Sequence, residues 1–321
     1  DLLCFLRSYF AHIFTLPFST DHMKVIDKAQ QAVLMGGLFA LAMPRGSGKT
    51  TLTELVCLWA CHYGHRPFIA LIGSDAGHAE QMLDSIKTEV ETNDLLLADF
   101  PEACYPIARL EGIGQRAAGQ TVEGERTHVT WKGNVIVFPT VAGSRASGAI
   151  VKCAGITGRI RGMKHKTADG RTLRPSLVVI DDPQTDESAH SPTQCQTRER
   201  TLAGAVLGLA GPGQKISGIM PCTVIRKGDV ADTFLDTSRH PEWNGERFKL
   251  LYSLPTNERL WSEYNAIRVQ ALKAEQGMAP ATAFYEANRQ AMDEGAVVAW
   301  PERFNEDEAS AVQHAMNLKF R

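Results

Sequence analysis

Lys49 and Thr50 follow two closely spaced glycines in Pro44-Arg45-Gly46-Ser47-Gly48, and Thr51 comes directly after them. Residues of these types in this order are suited to holding phosphate. Gly46 and Gly48 let the backbone curl so that successive N–H groups point inward, and a helix opening near Lys49 adds its positive N-terminal end. Lys49 then neutralises the β- and γ-phosphates of a nucleotide, and the Thr50 hydroxyl is a ligand for Mg²⁺. The strict pattern G-x-x-x-x-G-K-(Ser/Thr) is not fully met, because Met43 occupies the place of its first glycine. The competing reading is a Gly/Ser turn with a solvated lysine.

A second acidic motif argues against that simpler reading. Leu177-Val178-Val179-Ile180 is an apolar strand that ends in Asp181-Asp182-Pro183, so both carboxylates emerge at the carboxyl edge where parallel sheets bind ligands. Asp181 is placed to hold Mg²⁺, and Asp182 to orient or deprotonate the water attacking the γ-phosphate, with Asp186 or Glu187 as substitutes. Between the motifs, Arg159 and Arg161 lie in a glycine-containing loop. Arg161 is either an arginine finger or part of a basic surface. Ser217 and Thr223 are small polar groups at the end of the next strand and can sense the γ-phosphate or act as ordinary strand-end hydroxyls. Thr20-Asp21-His22 and Gln30-Gln31 are candidates for adenine contacts, with helix capping as the simpler role. Trp300-Pro301-Glu302-Arg303-Phe304 reads as packing.

The elements that position these residues alternate. Leu38–Ala42, 67–73, 134–139, 176–180, 215–220 and 248–252 read as strands, and 51–62, 76–91, 192–209 and 229–237 as helices, which implies an α/β fold with a parallel sheet. Residues 109–133 read as a loop or irregular hairpin over the sheet edge. Residues 1–18 read as one amphipathic helix, with Leu3, Leu6, Phe10, Ile13 and Phe14 at helical spacing. From Glu258 onward the chain is helix-rich and more polar. The expected division is a core over 1–252 and a small helical lid over 253–321.

Composition sets wide bounds. The 321 residues are 44% hydrophobic, enough for a substantial core. A formal charge of −2 leaves nucleic-acid contact to local patches such as 159–166. The seven cysteines contain no C-x-x-C pair, so neither a disulfide framework nor a zinc ribbon is expected, and a reducing cytoplasm is the natural setting. The absence of an initiator Met suggests a piece of something longer.

Taken in order, these motifs resemble the ATPase domain of the large terminase subunit, the DNA-packaging motor of tailed bacteriophages. The resemblance rests on Pro44 to Thr50, Asn93-Asp94-Leu95 with Asp99-Phe100-Pro101-Glu102, Ile160-Arg161-Gly162, Ile180-Asp181-Asp182-Pro183-Gln184, Pro221-Cys222-Thr223 and Ala299 to Phe304. It implies a RecA-like P-loop ATPase of the additional-strand type with a small helical lid, using ATP and Mg²⁺. Lys49, Asp182 and Arg161, the finger, would be catalytic. Arg45, Gly46, Ser47, Gly48, Lys49, Thr50 and Thr51 would bind nucleotide, Thr50 and Asp181 the metal, and Thr223 would belong to the coupling motif. The implied partners are double-stranded DNA, portal protein, procapsid, small terminase subunit and further copies in a ring, in the host cytoplasm. Fewer than two dozen residues follow Phe304, too few for the family's nuclease domain. Two other readings remain at this point, a helicase-like or DNA-remodelling ATPase and a nucleotide-gated binding switch with little turnover.

Overall fold

An apolar run such as Leu38–Ala42 has no polar face to leave in water, so a sheet built from such runs must be covered on both sides. In the computed structural model, which describes residues 1–158 and 160–320, one eight-stranded sheet forms. Its strands are β1 (Leu38–Ala42), β2 (Phe68–Gly73), β3 (Thr130–Lys132), β4 (Val135–Val137), β5 (Ile150–Gly155), β6 (Leu177–Asp181), β7 (Ser217–Cys222) and β8 (Glu246–Arg247). The spatial order is β8-β1-β7-β6-β2-β5-β4-β3. The first six are mutually parallel, whereas β4 and β3 extend the sheet by antiparallel pairing.

The first four helices are α1 (Leu2–Tyr9), α2 (Thr20–Leu34), α3 (Lys49–His62) and α4 (Ala76–Thr92), of which α3 and α4 carry site residues. One face of the sheet, presenting Leu38, Ala40, Ala70, Val178 and Met220, is covered by Leu202, Val206, Leu209, Phe234 and Trp243. On α3, Leu55, Val56, Leu58 and Trp59 are buried, and the helix lies against β6 and β7 while α4 lies against β2 and β5. Register brings the strand ends level, since Asp181 pairs with Gly73, which pairs with Gly155. Loops leaving β1, β2, β6 and β7 therefore gather at one carboxyl edge.

The chain divides into two compact units, residues 1–11 with 25–247 and residues 12–24 with 248–321. The first holds the sheet. The second has its own core of Leu260, Trp261, Tyr264, Tyr285, Met292 and Met316, from helices Glu258–Lys273, Ala279–Asp293 and Ala311–Lys319. Within it, Trp261 donates to the Met292 carbonyl at 2.8 Å and the Tyr264 hydroxyl to Asn317 at 2.9 Å.

Several sequence expectations need correction. The N-terminal helix stops at Tyr9 rather than reaching Phe18, because Leu2, Phe5, Leu6 and Tyr9 already complete its buried face. The unit boundary falls after Arg247 rather than Tyr252, and His12–Lys24 joins the second unit. The run 248–252 does not extend the main sheet, as Leu251–Ser253 pairs instead with Val297–Val298. The helix expected over 192–209 is regular over Pro192–Thr201 and continues as a π-helical turn over Leu202–Val206. β5 escapes pattern reading because Lys152, Cys153, Ala154 and Gly155 dilute its apolar character.

Gly155 shows how tightly the carboxyl edge is built. A Cβ there would stand 2.4 Å from the Ala76 nitrogen and 2.5 Å from the Asp75 carbonyl carbon, both backbone atoms that cannot rotate away. Gly155→Ala is expected to cost about 1–3 kcal/mol of stability, read as a lowered midpoint in urea or thermal unfolding. An unchanged midpoint would show that this strand end does not press on the start of α4.

Candidate functional site

The loop after β1 turns through two left-handed glycines, Gly46 at φ 72° and Gly48 at φ 73°. Gly48 is the N-cap of α3 and supplies no side-chain cap, so the first N–H groups of the helix face the loop without an internal side-chain acceptor. α3 then carries Lys49 and Thr50 over the ends of β6 and β7. Lys49 Nζ lies 3.2 Å from Asp182 Oδ2, and Thr50 Oγ1 donates to Asp181 Oδ2 at 2.6 Å. The two motifs of the sequence therefore meet residue by residue.

Asp182 is held from three sides. Its Oδ1 accepts the Thr223 backbone N–H at 2.7 Å, its Oδ2 is 3.5 Å from the Thr223 hydroxyl, and Lys49 supplies the charge. Burial raises its pKa above the ordinary carboxylate range, opposed by Lys49 and reinforced by Asp181. Its backbone sits at φ 40°, a left-handed conformation that costs a non-glycine residue about 1 kcal/mol and persists where surrounding contacts fix it. A carboxyl with its affinity for a proton raised in this way is a candidate to take one from a bound water.

Asp181 is completely buried. One oxygen has the Thr50 hydroxyl, yet among the described residues Oδ1 has no hydrogen-bond partner, an arrangement that is costly unless something else meets it. Among the described residues no group of three or more His, Cys, Asp or Glu is placed to hold a metal ion. Thr50 and Asp181 instead form the sparse, hard-oxygen pair that suits Mg²⁺, which takes the rest of its shell from water and phosphate.

Three residues of this cluster are given no role by the sequence. His78, in the first turn of α4, places Nε2 3.3 Å from Asp181 Oδ2 while its Nδ1 is 3.2 Å from the Ser74 hydroxyl. Its pKa is raised, chiefly by the hydrogen bond to Asp181. Arg198, nearly buried, donates to the Ser74 carbonyl and the Pro183 carbonyl at 2.9 Å each, tying the end of β2 to the turn after β6. Gln184 donates to the Thr223 carbonyl at 3.0 Å and to Asp229 at 2.8 Å, and Asp229 caps helix Val230–Phe234. Gln184 closes the motif 180–184 without an assigned role, His78 follows a strand end, and Arg198, inside helix Pro192–Thr201, carries no prior signal.

Of the other expected site residues, some stay in the loop and some lie apart. Arg45 pairs with Asp186, which makes that carboxylate a loop partner; Glu187 is exposed. Thr51 follows Thr50 on α3 and is half-buried, and Ser47 is buried within the loop. Arg161 is exposed, with Nη2 3.5 Å from where a Cβ on Gly204 would stand, and no hydrogen bond joins it to Lys49, Asp181 or Asp182. Arg159 lies outside the described residues. Ser217 is at the opposite end of β7 from Thr223, where it accepts from Arg66 Nη2 at 3.2 Å; six strand residues separate it from the site by roughly 17–20 Å. Thr20, Asp21 and His22 are in the first turn of α2 rather than ahead of it. Asp21 accepts from Tyr252 at 2.8 Å, His22 packs edge-on against Trp300, and Trp300 donates to the Pro17 carbonyl at 2.8 Å. Trp300 is thus a packing residue as expected. Gln30 accepts the Leu2 N–H at 2.7 Å, and Gln31 is exposed.

The molecule is an α/β protein with a mostly parallel eight-stranded sheet and helices, compatible with a Rossmann or RecA-like arrangement, and its cationic loop and paired carboxylates share one edge. No protein-family model matches the sequence, and no curated protein matches it significantly. Among the described residues no helix is long and apolar enough to cross a membrane, and all seven cysteines are free.

Glu54, one turn beyond Thr50 on α3, gives the site a pH signature. Burial raises its carboxyl from 4.5 to about 7, and the charge of Asp181 adds to the effect. A raised acid contributes stability that is complete below its unfolded pKa and lost as pH rises through its folded pKa. Glu54→Gln is therefore expected to change stability little near pH 4.5 and to stabilise the fold by about 2–3 kcal/mol above pH 7. Urea unfolding at both pH values checks this; a gain independent of pH would contradict it.

Proposed function

We propose that this chain is the ATPase motor domain of a large terminase subunit, of the RecA-like additional-strand type, hydrolysing Mg-ATP to drive double-stranded DNA into a procapsid. The observation that carries this reading is the meeting of Lys49 with Asp182 at 3.2 Å and Thr50 with Asp181 at 2.6 Å beside a left-handed glycine loop. It is supported further by the order of motifs along the sequence.

In this reading the backbone of 45–48 receives the phosphates and Lys49 exchanges Asp182 for the β- and γ-oxygens. That exchange frees the Asp182 carboxylate to take the proton of the attacking water. Mg²⁺ held by Thr50 and Asp181 would supply neutralising charge along the phosphates. Thr223, bonded to Asp182 through both N–H and hydroxyl, senses the carboxylate's position and passes it through Gln184 and Asp229 to helix Val230–Phe234. Arg161, exposed and away from its own Lys49, serves as a finger for a neighbouring subunit in a ring. Portal protein, procapsid and small terminase subunit are the partners this role requires, in the host cytoplasm.

Lys49→Ala is expected to abolish Mg-ATP binding. Asp182→Asn is expected to keep binding while turnover falls at least about 100-fold, and Asp181→Asn to weaken Mg²⁺ dependence as well. Calorimetric binding together with phosphate release, alone and with DNA, portal and procapsid, checks all three. Normal turnover in Lys49→Ala or Asp182→Asn would overturn the assignment. Tight binding with no turnover by the wild type under any of these conditions would favour a nucleotide-gated switch.

A further inference from the structure

Residues 160–174 leave the carboxyl edge after β5 and return to β6 through a small antiparallel hairpin, His165–Lys166 against Thr172–Leu173. The segment carries five cations, Arg161, Lys164, Lys166, Arg171 and Arg174, against the single acid Asp169, in a chain whose formal charge is −2. All five cations are exposed. Asp169 is engaged within the turn, where it accepts from Arg171 Nε at 2.6 Å, so it neutralises none of the others. Among the described residues Lys164, Lys166 and Arg174 have no ion pair.

The hairpin is anchored. Met163 is buried, and Leu173 partly buried, against the sheet face that also presents Val135, Val137 and Ile150; Arg174 packs its Cδ over Gly211, 2.8 Å from where a Cβ would stand. Strand alternation puts Lys152 of β5 on that same face as Ile150. His165 has its pKa lowered by burial and then by Lys152 and Lys132, so the hairpin and the antiparallel end of the sheet form one cationic surface. Neither Lys132 nor Lys152 has an ion pair among the described residues.

We propose that Lys132, Lys152, Lys164, Lys166 and Arg174 form a binding surface for the phosphate backbone of double-stranded DNA. The choice of partner follows from what the surface lacks. Residues 160–174 contain no Phe, Tyr or Trp, so they offer no platform on which single-stranded bases can stack. Nearby Trp131 is half-buried, with Lys87 Nζ 5.8 Å from its ring centroid. No large apolar residue between 150 and 174 is exposed, so nothing would insert into a lipid surface. What remains is a set of separate cations on a fixed support, matched to repeated phosphates and to no particular sequence. This deepens the motor reading by naming the surface along which DNA runs.

The test is fluorescence anisotropy with two labelled 30-bp duplexes of unrelated sequence, titrated from low to physiological salt, together with phosphatidylserine vesicles. A quadruple variant with Lys132, Lys152, Lys164 and Lys166 all changed to Ala is expected to weaken binding to both duplexes at least about tenfold and to reduce the salt slope by about 3.6. Changing the same four lysines to Arg should preserve affinity. The inference is overturned if wild type binds neither duplex at low salt, if the Ala variant keeps affinity and slope, if the Arg variant loses as much as the Ala variant, or if vesicles compete as well as duplex. ATP turnover by the same proteins separates the two claims: lysine-dependent DNA binding without turnover keeps this surface and removes the motor, whereas turnover with unchanged binding in the Ala variant does the reverse.

Discussion

The ion pair between Lys49 and Asp182 is the interaction on which the site depends. Two adjacent carboxylates, one of them completely buried, repel each other and lose hydration at the end of β6, a combination that is unfavourable without a compensating cation. Lys49 provides it for Asp182, and the Thr50 hydroxyl and His78 provide hydrogen bonds for Asp181. The same contacts draw the start of α3 onto the strand ends. The cluster therefore brings a lysine, a raised acid and one unmatched oxygen together beside the glycine loop. Apart from Asp181 Oδ1 these groups are matched within the cluster, and on the reading proposed above a triphosphate with its cation would compete for Lys49, Thr50 and Asp181.

The surroundings make that competition consequential. Thr223 is bonded to Asp182, Gln184 to Thr223, and Asp229 to Gln184 and to the backbone of Ile225 and Arg226. A shift of the Asp182 carboxylate thus disturbs a chain of polar groups that runs from half-buried Thr223 to buried Gln184 and Asp229. On the other side, Arg198 and His78 bind the turn after β6 to the end of β2. Gly155 sets the close approach of β5 to the opening of α4, which carries His78.

Much of this was legible in the residues. β1, β2 and β6 are buried on both faces and so read as continuous apolar runs, and Lys49, Thr50, Asp181 and Asp182 stood out because short-range chemistry dictates their spacing. β5 was hidden because Lys152 lies partly exposed near the sheet's end and Gly155 is required by packing rather than by strand propensity. His78 and Arg198 were invisible, and Gln184 stood in a quoted motif without a role, for a different reason: each acts on a residue distant in sequence, and nothing local distinguishes a helix-opening histidine that meets Asp181 from one that meets water. Ser217 misled because a hydroxyl at either end of a strand looks alike until the direction of the strand fixes which edge it occupies. The N-terminal helix was overextended because apolar residues from His12 onward serve the second unit, while the face of α1 ends at Tyr9.

The central claim is that the Lys49–Asp182 pair is the nucleotide-free form of a phosphate-binding site. A crystal structure of the chain with Mg²⁺ and a non-hydrolysable ATP analogue tests it most directly. The account predicts the triphosphate within the loop of residues 45–48, Lys49 Nζ moved from Asp182 onto the β- and γ-oxygens, and the cation near Thr50 and Asp181. An analogue bound elsewhere, or bound with the Lys49–Asp182 contact intact, would contradict it.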